Sequence, residues 1–246
     1  MANSLYTDKE VFVRELISNS SDALTKLRQM QVVGEADAAL PLEIKIGCDE
    51  AAGTITICDT GVGMSKDELV ANLGTIARSG SKAFIAELGD GSAEEDVGNS
   101  IIGRFGVGFY SAFMVSDQLT VYSRRAGSEE AFCWKSDGLG NYTIAPADNV
   151  DVGTKVVIAL REKDKKDFGH SFKLRRLIEK YSNFVSFPIS VSIRVVTTLR
   201  DAAATTLLLY QCSLAVIYPR TLPALQKALC RGYAHVVQRV PYDGRD

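Results

Sequence analysis

The chain has 246 residues, 46% of them hydrophobic and 24% charged, and its formal net charge is -2. This composition is typical of a globular protein with a substantial core, and it gives no general basis for binding nucleic acid or an anionic membrane. Five cysteines without a C-x-x-C pair and only two histidines argue against a disulfide framework, a zinc site or a Ser-His-Asp triad.

The first predicted element is an amphipathic helix. Thr7 and Glu10 have the spacing of a capping box, and apolar or small residues then recur on one helical face as far as Leu27. Glu15 and Asn19 lie four residues apart and therefore share the other face. A carboxylate there can deprotonate a water molecule, and an amide oxygen can complete a magnesium shell with phosphates. A solvated polar stripe explains the same spacing, and for this pair alone it is the better explanation.

Two strands follow the helix. Residues 42–46 alternate with a period of two, and residues 54–59 form a second strand that we expect to pair antiparallel with the first. Asp59 ends the second strand just before Gly61 and Gly63. A carboxylate at this position can accept a hydrogen bond from the exocyclic amine of adenine, while the glycines let the backbone approach a flat base. A glycine-containing turn with no ligand is the structural alternative.

A short helix and a long polar segment come next. Ser65 and Glu68 form a second capping box, which predicts a short helix through Leu73. Residues 78–100 have no periodicity, and a polar stretch of this length inside a domain is often a lid or a binding loop. Its first residue, Arg78, is a cation suited to phosphate contact, although a solvated loop explains it equally well.

A glycine-rich segment then runs into a predicted buried helix. Gly103, Gly106 and Gly108 precede an apolar run, and backbone N–H groups in such a loop can bind phosphate. The spacing matches neither the P-loop nor the dinucleotide-binding fingerprint, so neither class is supported. A packing turn remains the alternative.

The remaining elements complete an α+β prediction. A mixed, mostly antiparallel sheet covered on one face by helices, a two-layer sandwich, accommodates all of them. Residues 161–167 are interpreted as surface charge only, and beyond residue 195 no period is evident. The longest apolar run, 207–218, is too short to span a bilayer. The predicted elements are strands at 119–123, 131–135, 142–145, 154–160 and 189–193 and a helix at 171–181.

Four segments of the chain resemble the N-terminal ATPase domain of the heat shock protein 90 chaperones: 4–28, 57–82, 101–115 and 180–189. The similarity covers about residues 3–195 and is greatest to the mitochondrial branch, because other relatives usually carry lysine in place of Arg78. It implies the ATPase fold of the gyrase, heat shock protein 90, histidine kinase and mismatch-repair group, with an eight-stranded sheet.

The same resemblance implies ATP and Mg²⁺ as cofactors and a role for each matching residue. Glu15 is expected to be the general base, Asn19 to hold magnesium and phosphate oxygens, and Asp59 to bind the adenine amine. The other expected nucleotide contacts are Gly63, Met64, Asn72, Arg78, Gly103, Gly106, Val107, Gly108, Phe109 and Thr154.

The chain also departs from the family pattern. We expect residues 1–195 to form the nucleotide-binding domain without the usual first strand, and residues 196–246 to be a divergent tail with no assigned domain, whose composition fits a shifted reading frame. Arg104 occupies a position usually held by glutamine. The middle domain that supplies a phosphate-sensing arginine in the family is not matched, so the expected turnover is weak.

The function expected from the resemblance is ATP-dependent chaperoning in protein folding and the stress response. The expected partners are unfolded client proteins and co-chaperones, with no nucleic acid and no membrane; the family is homodimeric, but its dimerisation domain is not matched. The expected location is mitochondrial or cytoplasmic, although no transit peptide is evident. The alternatives are a nucleotide-independent interaction fragment, an unstable product, or a gyrase- or mismatch-repair-type ATPase, which the absence of a basic DNA-binding face disfavours.

Overall fold

The computed structural model describes residues 8–74, 108–201, 204–217 and 236–240, with side chains described up to residue 192. Within these ranges four α-helices, one 3-10 helix and nine strands follow one another along the chain. Their bounds are α1 Val11–Val32, β1 Ile44–Asp49, β2 Thr54–Asp59, α2 Lys66–Leu73, the 3-10 helix Gly108–Met114, β3 Ser116–Arg124, β4 Ala131–Ser136, β5 Tyr142–Pro146, β6 Gly153–Leu160, α3 Glu162–Phe168, α4 Ser171–Tyr181, β7 Ile189–Asp201, β8 Ala204–Ile217 and β9 Val236–Val240.

The strands form one mixed sheet in the order β5-β4-β3-β6-β2-β1-β7-β8-β9. Every neighbouring pair is antiparallel except β1 and β7, which run parallel. Burial alternates along β2, and its buried positions Ile55 and Ile57 face the core. Because alternate side chains point to opposite faces, one face of the central strands is apolar and must be covered.

Helices α1 and α4, together with the 3-10 helix, cover that apolar face. Leu16, Ile17 and Leu24 of α1 are at most 2% exposed and belong to the same core cluster as the buried strand residues. The ring of Phe12 meets Phe168 of α3 edge-on, with centroids 5.3 Å apart. The predicted α+β two-layer sandwich is therefore confirmed. None of the described helices has the length and apolarity needed to cross a bilayer.

Most of the local predictions are confirmed. The capping box of α2 is complete: the Ser65 hydroxyl accepts the Glu68 N–H and the Glu68 carboxylate accepts the Ser65 N–H. β2 and α4 have the predicted bounds. The residue before α1 is Glu10, whose side chain makes no capping hydrogen bond. Thr7, its predicted capping partner, lies outside the described residues.

Other predictions differ from the structure. Residues 162–168 form α3 and are more than surface charge, because Asp164 and Phe168 are buried on its inner face. The apolar segment after the glycines forms a 3-10 helix. Nine described strands exceed the eight expected, because β8 pairs with β7 along its length and β9 pairs with β8. Backbone pairing needs no side-chain period, so the sequence pattern gave no signal for these strands.

Candidate functional site

Asp59, at the end of β2, is a carboxyl group buried on the core face of the sheet, with 5% exposure. It accepts the backbone N–H of Gly61 at 3.0 Å and also forms hydrogen bonds with the Ser20 side chain and the Thr154 backbone. Burial nevertheless raises the pKa of Asp59 to about 7, because desolvation outweighs these hydrogen bonds. A further N–H donor from a ligand would favour the ionised form.

The turn after Asp59 is packed tightly between α1 and β3. A Cβ atom on Gly61 would lie 2.6 Å from the backbone carbon of Ala23 in α1. Gly63 has a φ of 65°, and a Cβ there would overlap the Arg124 carbonyl group. Both glycines are therefore required by close backbone packing, whether or not a ligand is present.

Ser123 joins two of the predicted nucleotide contacts. It is fully buried, and its hydroxyl accepts the Met64 N–H at 2.9 Å and donates to the Gly153 carbonyl at 2.9 Å. Its oxygen also lies 3.0 Å from the Thr154 hydroxyl. Sequence reasoning did not identify Ser123 or Ser20 as site residues. The sequence did contain a signal for them, because each places a hydroxyl at a core-facing position, Ser20 on α1 and Ser123 on β3. A buried polar group requires a hydrogen-bond partner.

Glu15 is half-buried on α1, where it lies against the start of the 3-10 helix. A Cβ on Gly108 would meet the Glu15 carboxylate, and the Cβ of Glu15 would lie 3.2 Å from it. Arg14 donates to the same carboxylate, with Nη2 2.9 Å and Nε 3.3 Å from Oε1. Ser111 Oγ donates to the Gly108 carbonyl at 2.5 Å and tightens the turn that faces Glu15. The structure therefore brings Glu15 and Gly108 into contact.

Asn19 is exposed on α1, next to Ser20. In the described parts of the chain no group of three or more His, Cys, Asp or Glu side chains could hold a metal ion. Magnesium usually keeps several waters and uses one or two protein ligands together with substrate phosphates. A single exposed amide oxygen four residues along α1 from the Glu15 carboxylate therefore fits a magnesium ion that arrives with a nucleotide.

An aromatic cluster lies at the start of the 3-10 helix, next to Gly108. The Phe109 ring lies edge-on to Trp134 at 5.6 Å, and Trp134 stacks on Tyr142 at 6.0 Å. The Tyr110 hydroxyl donates to the carbonyl of Leu73, the last residue of α2, at 2.9 Å. This cluster supplies an apolar wall that connects α2 to the 3-10 helix.

The predicted residues fall into two groups joined by α1. At one end Asp59 contacts Ser20, and Met64 and Thr154 meet at Ser123; at the other Glu15 contacts Gly108. Asn72 belongs to the first group, since its Nδ2 lies 3.9 Å from Met64 Sδ. Arg78, Gly103, Gly106 and Val107 lie outside the described residues.

Comparison with known proteins gives consistent matches. A family profile described as "Histidine kinase-, DNA gyrase B-, and HSP90-like ATPase" matches residues 6–152. The chain is 53% identical over 202 residues to "Heat shock protein 75 kDa, mitochondrial" of Bos taurus, covering 81% of this chain and 28% of that protein. It is 48% identical over 195 residues to "Chaperone protein HtpG" of Methylorubrum populi, covering 78% and 31%. The chain thus spans less than a third of the length of these relatives.

Proposed function

Since this chain belongs to the histidine kinase-, DNA gyrase B- and HSP90-like ATPase family, and within it to the heat shock protein 90 proteins, we propose that it binds and hydrolyses ATP. The nucleotide would act within a chaperone cycle. We assign the ATP-binding domain to residues 1–195, as the sequence motifs predict, and leave residues 196–246 without a domain assignment.

One observation supports this proposal above the others: α1 contacts both groups of site residues. Ser20 forms a hydrogen bond with the buried Asp59. Glu15, which precedes Ser20 by five residues in α1, lies against Gly108. At a rise of 1.5 Å per residue these two points are roughly 7.5 Å apart along the helix axis. A buried hydrogen-bond acceptor and a half-buried carboxylate at this separation suit an adenine base and its phosphates.

In the proposed complex Asp59 accepts the adenine amine, and burial gives this contact its selectivity. A guanine carbonyl at the same place would leave two acceptors facing each other, which is costly in a desolvated site. The remaining contacts assigned to the nucleotide are Gly63, Met64, Asn72 and Thr154 at the base end and Arg78, Gly103, Gly106, Val107, Gly108 and the adjoining Phe109 at the phosphate end.

At the phosphate end Glu15 is the proposed general base. Its carboxylate orients a water molecule for in-line attack on the terminal phosphoryl group and takes a proton from it. The Arg14 guanidinium fixes the direction of that carboxylate through two N–H donors to one oxygen. Asn19 is the residue that would hold magnesium, which would supply charge neutralisation at the phosphate oxygens.

The names of the relatives support a cellular role for the whole protein. We propose unfolded client proteins and co-chaperones as its partners. The family is homodimeric, but this chain does not match the dimerisation domain, so a homodimer is proposed for the whole protein only. The similarity to heat shock proteins named as mitochondrial supports a mitochondrial location, while similarity to bacterial chaperones leaves a cytoplasmic location as the alternative.

Calorimetric titration with Mg-ATP and Mg-GTP tests the nucleotide proposal. We expect heat from ATP and none from GTP, and we expect Glu15→Ala to bind ATP while losing hydrolysis. Glu179→Ala, an exposed carboxylate on α4, is the matched control and should behave as wild type. Absence of heat from wild-type protein at high concentration would refute ATP binding and favour a nucleotide-independent interaction fragment.

A further inference from the structure

Arg161, at the junction of β6 and α3, holds the C-terminal end of the 3-10 helix through its side chain. Its guanidinium donates to three backbone carbonyl oxygens in one turn of chain. The acceptors are Phe113 O at 3.0 Å, Met114 O at 3.2 Å and Ser116 O at 3.2 Å.

Two further contacts fix Arg161 itself. Its Nε donates to an Asp117 carboxylate oxygen at 2.5 Å, and its backbone N–H donates to the Val115 carbonyl at 2.9 Å. The Arg161 side chain is 25% exposed, so water competes with these bonds only in part. The last carbonyls of a helix have no partner within it, and a planar guanidinium can serve several of them at once.

The other end of the 3-10 helix carries residues of the proposed phosphate site. Gly108 touches the Glu15 carboxylate there, and Phe109 packs on Trp134. A 3-10 helix rises about 2.0 Å per residue, so its seven residues extend for roughly 14 Å. Because a short helix moves as a unit, a shift at its Arg161 end displaces Gly108 relative to Glu15.

We propose that Arg161 is a positioning residue for the phosphate end of the site, an inference that rests on the proposed function. Within the ranges that the structure describes, its side-chain hydrogen bonds go to no predicted nucleotide-binding residue, and it acts through the backbone of the 3-10 helix. The base end is held separately, by Ser20 and Ser123. Loss of Arg161 should therefore affect the phosphates and spare the adenosine part of the ligand.

The test compares Mg-ATP with adenosine on wild type, Arg161→Gln and Arg161→Lys by calorimetry. We expect Arg161→Gln to weaken ATP binding by about tenfold and to slow single-turnover hydrolysis by roughly ten- to a hundredfold, as misplacements near 1 Å do. Adenosine affinity should change less than about twofold, because Asp59 is not displaced. Arg161→Lys should be intermediate, and Lys163→Gln, an exposed charge two residues along α3, should match wild type.

The outcomes separate this inference from the proposed function. If wild type binds ATP and the ratio of ATP affinity to adenosine affinity is the same in Arg161→Gln, only the inference is overturned. This holds whether both affinities stay unchanged or both fall by the same factor. Wild-type binding of neither ligand overturns the proposed function and the inference together. If Arg161→Gln does not fold, Asp117→Ala releases the guanidinium from an exposed carboxylate and must lower the same ratio in its place.

Discussion

Replacing Asp59 with asparagine should change how the stability of the nucleotide-free protein depends on pH. The Asp59 carboxyl group is buried, and its pKa rises from an ordinary value of 3.8 to about 7. The folded state thus binds this proton more tightly than the unfolded state. The resulting stability is fully present below pH 3.8 and is lost as the pH rises to 7. Above about pH 7 the loss is complete.

The size of this pH-dependent change in unfolding free energy follows from the shift in the pKa of Asp59. Each unit of pKa difference is worth about 1.4 kcal/mol, so ionised Asp59 costs the folded state roughly 4 kcal/mol in total. Between pH 5 and pH 8 wild type should lose roughly 2–3 kcal/mol relative to Asp59→Asn, which cannot ionise. Asparagine keeps one acceptor oxygen for the Gly61, Ser20 and Thr154 contacts, and its lost acceptor shifts the whole curve by about 1–3 kcal/mol without changing its pH dependence.

Urea unfolding of both proteins from pH 5 to pH 8 measures this difference directly. Asp148→Asn, an exposed carboxylate before β6, is the control and should follow the wild-type curve. Adenosine binding gives a second measurement. If the ionised carboxyl group accepts the adenine amine, affinity should fall about tenfold from pH 8 to pH 6 and vanish in Asp59→Asn. If the difference in unfolding free energy between the two proteins stays constant from pH 5 to pH 8, the argument that burial raises the pKa of Asp59 is refuted.

Three further predictions concern packing around the site. Gly63→Ala should lower the free energy of unfolding in thermal melts more than Gly34→Ala does. Gly34 is a matched left-handed glycine, and no described atom lies within 4 Å of its Cβ position, so Gly34→Ala should cost only about 1–2 kcal/mol. Equal losses would contradict the overlap at Gly63. Ser123→Ala removes the acceptor of the half-buried Met64 N–H and should cost about 1–3 kcal/mol in urea unfolding. Lys9→Met leaves Asp164 buried without its cation and should cost about 3–5 kcal/mol, most of it recovered by adding Asp164→Leu; no recovery would argue against an unpaired buried charge.

The sequence could predict the elements whose signals lie within a few residues. The alternation in β2 and the Ser65–Glu68 capping box each depend on neighbours in the chain, and the structure has both elements where they were expected. Helix α3 was missed because its seven residues show only two buried positions, Asp164 and Phe168. The order of the motifs identified the family, and the profile and relatives confirm that identification.

The sequence by itself determined the types of residue available for a nucleotide site and their order along the chain. Only the tertiary structure decided which of them meet, because those contacts join distant positions. Ser20 finds Asp59, Glu15 faces Gly108, and Arg161 reaches carbonyls up to 48 residues away. The raised pKa of Asp59 has the same origin, since desolvation depends on what covers a carboxyl group and not on its neighbours in sequence.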